Sequence, residues 1–237
     1  MAARQPYVPF TVNNNNSQST PSQLTFDTTT APWLTPWTRS TLAPVLAEWY
    51  GRIEGLLPSP PSDSSINPYT NVTIVIEQPA KDDWVANTLG STIKGNAAWL
   101  GRELDREAVG AMVHECVHVV QRYAVYEPGW LTEGIADYIR WFLFEPQSHG
   151  ADRHWMRRVD VAQRRHDASY RTTANFLSWV VGNNHQKDVI AELNRAMRNG
   201  QYSPDVWERL TGKPVERLAE LWRDAVAREL SQVDRSS

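Results

Sequence analysis

Leu42, Val45, Leu46, Trp49, Tyr50, Ile53 and Leu57 recur at steps of three and four, the period of one helix face. They predict a helix from about Pro36 to Leu57, with Pro44 setting its true start. The run from Pro58 to Ser65 is rich in Pro and Ser and predicts a loop. Asn71 to Glu77 is short and β-branched and predicts a strand. A second extended segment is expected over Ser91 to Leu100, between Gly90 and Gly101, and a helix over Arg102 to Tyr123, broken by Pro128-Gly129. A helix then fits Leu131 to Phe144, stopped by Pro146, and helical patterns follow over 152–165, 172–182, 186–199, 204–211 and 214–230. The predicted class is α+β, mostly α-helical, with a small sheet near the middle of the chain.

Before these elements, residues 1–32 are dominated by Asn, Ser, Thr, Gln and Pro, with Asn13 to Asn16 in a row. Such a composition buries too little apolar area to offset ordering entropy, so a flexible low-complexity tail is expected there and a single domain over 33–237. At 237 residues, 41% hydrophobic and 22% charged, the chain has the composition of an ordinary globular domain. A net charge of −3 gives no basic field for nucleic acid, and Arg157-Arg158 and Arg164-Arg165 read as solvated helix faces. The one cysteine, Cys116, excludes an intramolecular disulfide. No run of 18 apolar residues predicts a membrane span. The first 30 residues lack the apolar core of a secretory signal, which leaves a cytosolic location, export by another route or a missing signal all open. A monomer is expected.

One stretch of the predicted helix 102–123 carries chemistry. His114-Glu115-Cys116-Val117-His118 matches H-E-x-x-H, and residues four apart share a helix face. Two imidazoles so placed can hold a zinc ion, with Glu115 beside them as general base. Cys116 turns off that face and reads as a small buried hydrophobe. A catalytic zinc needs a third protein ligand. The extension that ends in a third His is excluded, because Gln121 and Ala124 occupy its Gly and His positions. Glu133 and Asp137 are four apart beside an apolar stripe of Leu131, Ile135, Tyr138 and Ile139. Buried carboxylates need partners, and a metal and an imidazole N–H would supply them. Glu133 is therefore assigned to the zinc and Asp137 to the imidazole of His114, behind the ligands. The reverse order, Asp137 on zinc, stays open, as does a solvated helix carrying both. His149, His154, His166 and His185 fall in polar surroundings and read as surface residues. Most of the 11 tryptophans, Trp141, Trp179, Trp207 and Trp222 among them, recur with Leu and Val and read as core.

The string from His114 to Gln121, followed by Trp130-Leu131-Thr132-Glu133-Gly134-Ile135-Ala136-Asp137-Tyr138-Ile139-Arg140, resembles the plant basic secretory protein family, described as zinc peptidases of plants, fungi and bacteria. The similarity continues through Ser169 to Leu177 and on to Leu210-Thr211-Gly212-Lys213, covering roughly residues 65–230. The resemblance implies a zincin-like, thermolysin-like (gluzincin) catalytic domain with Zn2+ as cofactor, a peptide or protein substrate, and the ligand set His114, His118 and Glu133 with Asp137 behind it. It also implies Glu115 as catalytic base, and it makes Tyr170, at the start of a later helix, the candidate donor to the oxyanion, with a packed tyrosine whose hydroxyl is satisfied equally open. Gln121 is open between support for a ligand and helix surface. Asn96-Ala97-Ala98-Trp99 is similar to the active-site edge strand of that group. Members are usually secreted, and plant ones are often basic, whereas this chain is slightly acidic. The expected activity is zinc-dependent peptide hydrolysis. The alternative is a catalytically weak zinc-binding defence or interaction protein on the same scaffold.

Overall fold

Val72, Ile74 and Ile76 are fully buried while their neighbours in Asn71–Glu77 are not, which is the two-residue period of a strand covered on one face. In the computed structural model, which describes residues 9–13, 23–59, 71–160, 163–183 and 188–234, this strand is the centre of a five-stranded sheet. The chain divides into two compact units, Met1–Arg122 and Tyr123–Ser237, where the sequence pattern predicts one domain over 33–237.

The first unit holds the sheet. Its strands are β1 (Phe10–Asn13), β2 (Gln23–Asp27), β3 (Asn71–Glu77), β4 (Ala86–Leu89) and β5 (Thr92–Asn96), in the order β1-β2-β3-β5-β4. β2, β3 and β5 run parallel, and β1 and β4 flank them antiparallel at the two edges. The expectation of a flexible tail over residues 1–32 is corrected here by β1 and β2. Leu24 and Phe26 are fully buried on one face of β2 and Thr25 lies between them, so five residues suffice once a partner strand supplies the hydrogen bonds. That partner, β3, is more than forty residues away and invisible to local composition.

The α-helices of this unit, among the described residues, are α1 (Thr35–Trp37), α2 (Ala43–Leu56), α3 (Ala97–Arg102) and α4 (Ala108–Gln121). A π-helical turn, Thr38–Leu42, joins α1 to α2, so the first helix starts at Thr35 with Pro36 in its opening turn. Pro44 stands in the opening turn of α2; it lacks the N–H that a regular turn requires, and the wide turn precedes it. α2 and α4 pack on each other and reach the sheet, α2 at β1 and β2, α4 at β4 and β5. The extended segment expected over 91–100 ends earlier, at Asn96. The side chain of Asn96 accepts from the N–H groups of Ala98 and Trp99 and starts α3, while its amide donates to Asp82 and to the Trp84 carbonyl. Asn96-Ala97-Ala98-Trp99 is therefore the end of an interior strand and a helix start; the edge strand beside it is β4.

The second unit is helical: α5 (Gly129–Tyr138), a π-helical extension Ile139–Phe144, α6 (Arg153–Met156), α7 (Tyr170–Asn183), α8 (Val189–Arg198), α9 (Asp205–Thr211) and α10 (Val215–Asp234). Of the helix expected over 152–165, α6 covers Arg153–Met156 and turns follow to Arg158; residues 161 and 162 lie outside the described residues. α5 and α7 pack closely because Gly134 has no side chain: a Cβ there would overlap Thr173. Trp207, Trp222 and Phe176 are fully buried, and the Phe176 ring meets both tryptophans, so these tryptophans are core. His166 is not a surface residue. Its ring meets Trp130 edge-on at 5.0 Å and lies 5.4 Å from Phe176, and burial holds its pKa below the usual histidine value. His185 lies outside the described residues. Among the described residues no helix is long and apolar enough to cross a membrane.

Candidate functional site

α4 carries the H-E-x-x-H residues on consecutive turns. His114 and Glu115 are each 8% exposed and His118 is half-buried. The two ring nitrogens His114 Nε2 and His118 Nε2 face each other at 3.1 Å, as the four-residue spacing requires. Gln121, one turn on and almost wholly buried, accepts from His118 Nδ1 through Oε1 at 2.7 Å. That bond puts the ring proton on Nδ1 and leaves the Nε2 lone pair directed at the partner imidazole. Gln121 thus supports a candidate ligand and is not helix surface. Cys116 is fully buried on the other side of the helix. Burial, followed by the charge of Glu115, pushes its thiol well above the usual cysteine value, so no thiolate forms there at neutral pH.

Glu115 is held by the sheet. Thr88, on edge strand β4, donates its hydroxyl to Glu115 Oε2 at 2.7 Å, and the same oxygen lies 3.1 Å from the Glu115 carbonyl. The carboxylate is thereby fixed beside the strand. Sequence reasoning missed Thr88, because Ala86-Asn87-Thr88-Leu89 shows no apolar alternation, and its strand state comes from pairing with β5.

In the second unit, Glu133 and Asp137 sit one turn apart on α5 and are 8% and 4% exposed. The Tyr126 hydroxyl donates to Glu133 Oε1 at 2.8 Å. Removal of that hydroxyl from water, then its bond to Glu133, push the phenol well above the usual tyrosine value, so it stays a donor. Tyr170 is the first residue of α7, about half exposed, and its hydroxyl is also hydrogen-bonded to Tyr126. Tyr126, Glu133 and Tyr170 are therefore linked. Tyr126 was missed as well: it lies in the turn before Pro128, where no periodicity marks it.

A family model described as "Peptidase of plants and bacteria" matches residues 6–224. The chain belongs to that peptidase family. No curated protein matches it. Among solved structures, a mutant two-domain M1 zinc metallopeptidase bound to L-tryptophan is similar at 11% identity and a TM-score of 0.59, covering 91% of this chain and 51% of that one. A mutant M1 zinc metallopeptidase from Deinococcus radiodurans, bound to a Tyr-Ser-Ala substrate, is similar at 12% identity with the same TM-score and the same coverage. This peptidase-family chain spans about half the length of those structures, and at such identity the likeness is one of fold.

Proposed function

We propose that the chain is a zinc-dependent peptidase in which His114, His118 and Glu133 hold the metal and Glu115 is the general base. The observation that carries this reading is the pair of facing imidazole nitrogens, with Gln121 fixing the tautomer of one. Ligands about 2.1 Å from a tetrahedral ion stand roughly 3.4 Å apart, so the 3.1 Å separation of His114 Nε2 and His118 Nε2 fits a shared ion with little movement. Glu133, buried on α5, is proposed as the third ligand, which makes two imidazoles and one carboxylate, a donor set suited to catalytic zinc. Asp137, buried one turn along α5, is assigned to orient His114.

When bound, zinc supplies a Lewis acid that brings the pKa of water toward neutrality and polarises a carbonyl. Glu115 Oε2 takes the proton from the attacking water and delivers it to the departing amine. Thr88 holds Glu115 in place for both transfers. Tyr170 donates a hydrogen bond to the oxygen on which negative charge develops and keeps its proton, and Tyr126 positions it. The family and the peptide held by one structural neighbour support a peptide or protein substrate.

The test is the variant Glu115→Gln, which keeps size and polarity but cannot accept a proton. Zinc content should be unchanged and peptide turnover should fall by about 10²–10⁴-fold. Cleavage at the wild-type rate would remove Glu115 from the reaction.

A further inference from the structure

The second unit contains another convergence of metal-ligating side chains, outside the proposed active site. His149, Asp152 and His154 each present one donor atom, and the three atoms lie within 4.8 Å of one another. Local backbone geometry builds the cluster. His149 is left-handed, with φ of 57°, and reverses the chain after the turn Pro146–Ser148. Asp152 caps α6, its Oδ1 accepting the His154 N–H at 2.7 Å, which leaves Oδ2 directed at His149 Nδ1, 2.6 Å away. The His149 and His154 rings lie 4.7 Å apart between centroids. All three side chains open into one groove of about 440 Å³, whose walls include Trp179, Trp222 and Glu229. The nearby positive charge of Arg153 is offset by Glu229, 3.9 Å away.

We propose that His149, Asp152 and His154 form a second zinc site, surface-accessible and open on its groove side. Two imidazoles and a carboxylate suit a borderline divalent ion better than calcium or magnesium, which take oxygen ligands. Tetrahedral ligands stand roughly 3.4 Å apart. His149 Nδ1 and Asp152 Oδ2 must therefore separate by less than an ångström from their present hydrogen bond. Both histidines are exposed and free to make that adjustment. The remaining coordination positions face the groove, where water or a polar ligand can enter. The ion would tie the reversal at His149 to the start of α6.

The test is a titration of the full metal-stripped chain with Zn2+ alone, read by calorimetry and repeated with Co2+ for its visible spectrum. The pair His149→Ala/His154→Ala changes exposed side chains and should leave the fold intact by circular dichroism. Expected is the loss of one bound ion in that double variant relative to wild type. A His118→Ala chain should still bind an ion with a Co2+ spectrum, and should lose it when the two surface substitutions are added. Equal zinc stoichiometry in wild type and the double variant would overturn the proposal, as would no binding by His118→Ala. If wild type binds a single ion that only the surface substitutions remove, this site stands and the proposed catalytic site fails.

Discussion

The Thr88 hydroxyl lies 2.7 Å from Glu115 Oε2, so an edge strand of the sheet holds the carboxylate that follows the first histidine of the H-E-x-x-H helix. A hydrogen bond to a charged group contributes about 1.5–3 kcal/mol. If that interaction orients the base, Thr88→Val should lower kcat by roughly ten- to a hundredfold. KM and zinc content should change little, because the Thr88 hydroxyl is bonded to the proposed base, Glu115. Steady-state kinetics beside metal analysis checks this; an unchanged kcat would make the contact incidental.

Gln121 is bonded to His118, a proposed ligand, so its loss should weaken metal binding and leave the base untouched. Replacing it with Leu removes the acceptor for His118 Nδ1–H and frees the ring to turn or exchange tautomers. Loss of such a partner costs about 10–100-fold in metal affinity. Competition with a chelator of known affinity measures it. Wild-type affinity in Gln121→Leu would mean that the helix alone fixes the imidazole.

Gly134 makes a prediction about stability. A Cβ at this position overlaps Thr173 Cγ2 and crowds its Cβ, across the α5–α7 contact. Gly134→Ala should gain a little helix propensity but lose more to overpacking, a net cost of about 1–3 kcal/mol. Adding Thr173→Ala should recover part of it. Chemical denaturation of the single and double variants decides, and a more stable Gly134→Ala would show that the two helices separate without cost.

These residues also show what could be read without coordinates. The strand Asn71–Glu77 and the helices around His114 and Glu133 were legible because each carries its own period. β1 and β2 were not: their stability comes from a partner strand far along the chain, and the surrounding Asn and Ser mask two buried side chains. The α6 region failed for a different reason, since the 152–165 pattern has helical spacing but the α-helix started at Asp152 gives way to turns after Met156. In the candidate site, the spacings of His114 to His118 and Glu133 to Asp137 were readable because a helix converts spacing into a shared face. Thr88, Tyr126 and the approach of His149 to His154 depend on strand pairing or loop reversal, and no linear spacing encodes those.

The central claim is that peptide cleavage depends on zinc. Its most direct test is the rate of peptide-library cleavage by the full chain, measured after chelator stripping and again as Zn2+ is returned. The account predicts no cleavage by the stripped chain, and recovery that follows occupancy of the His114–His118 site. Cleavage undiminished in chelator, with metal shown to be absent, would contradict it.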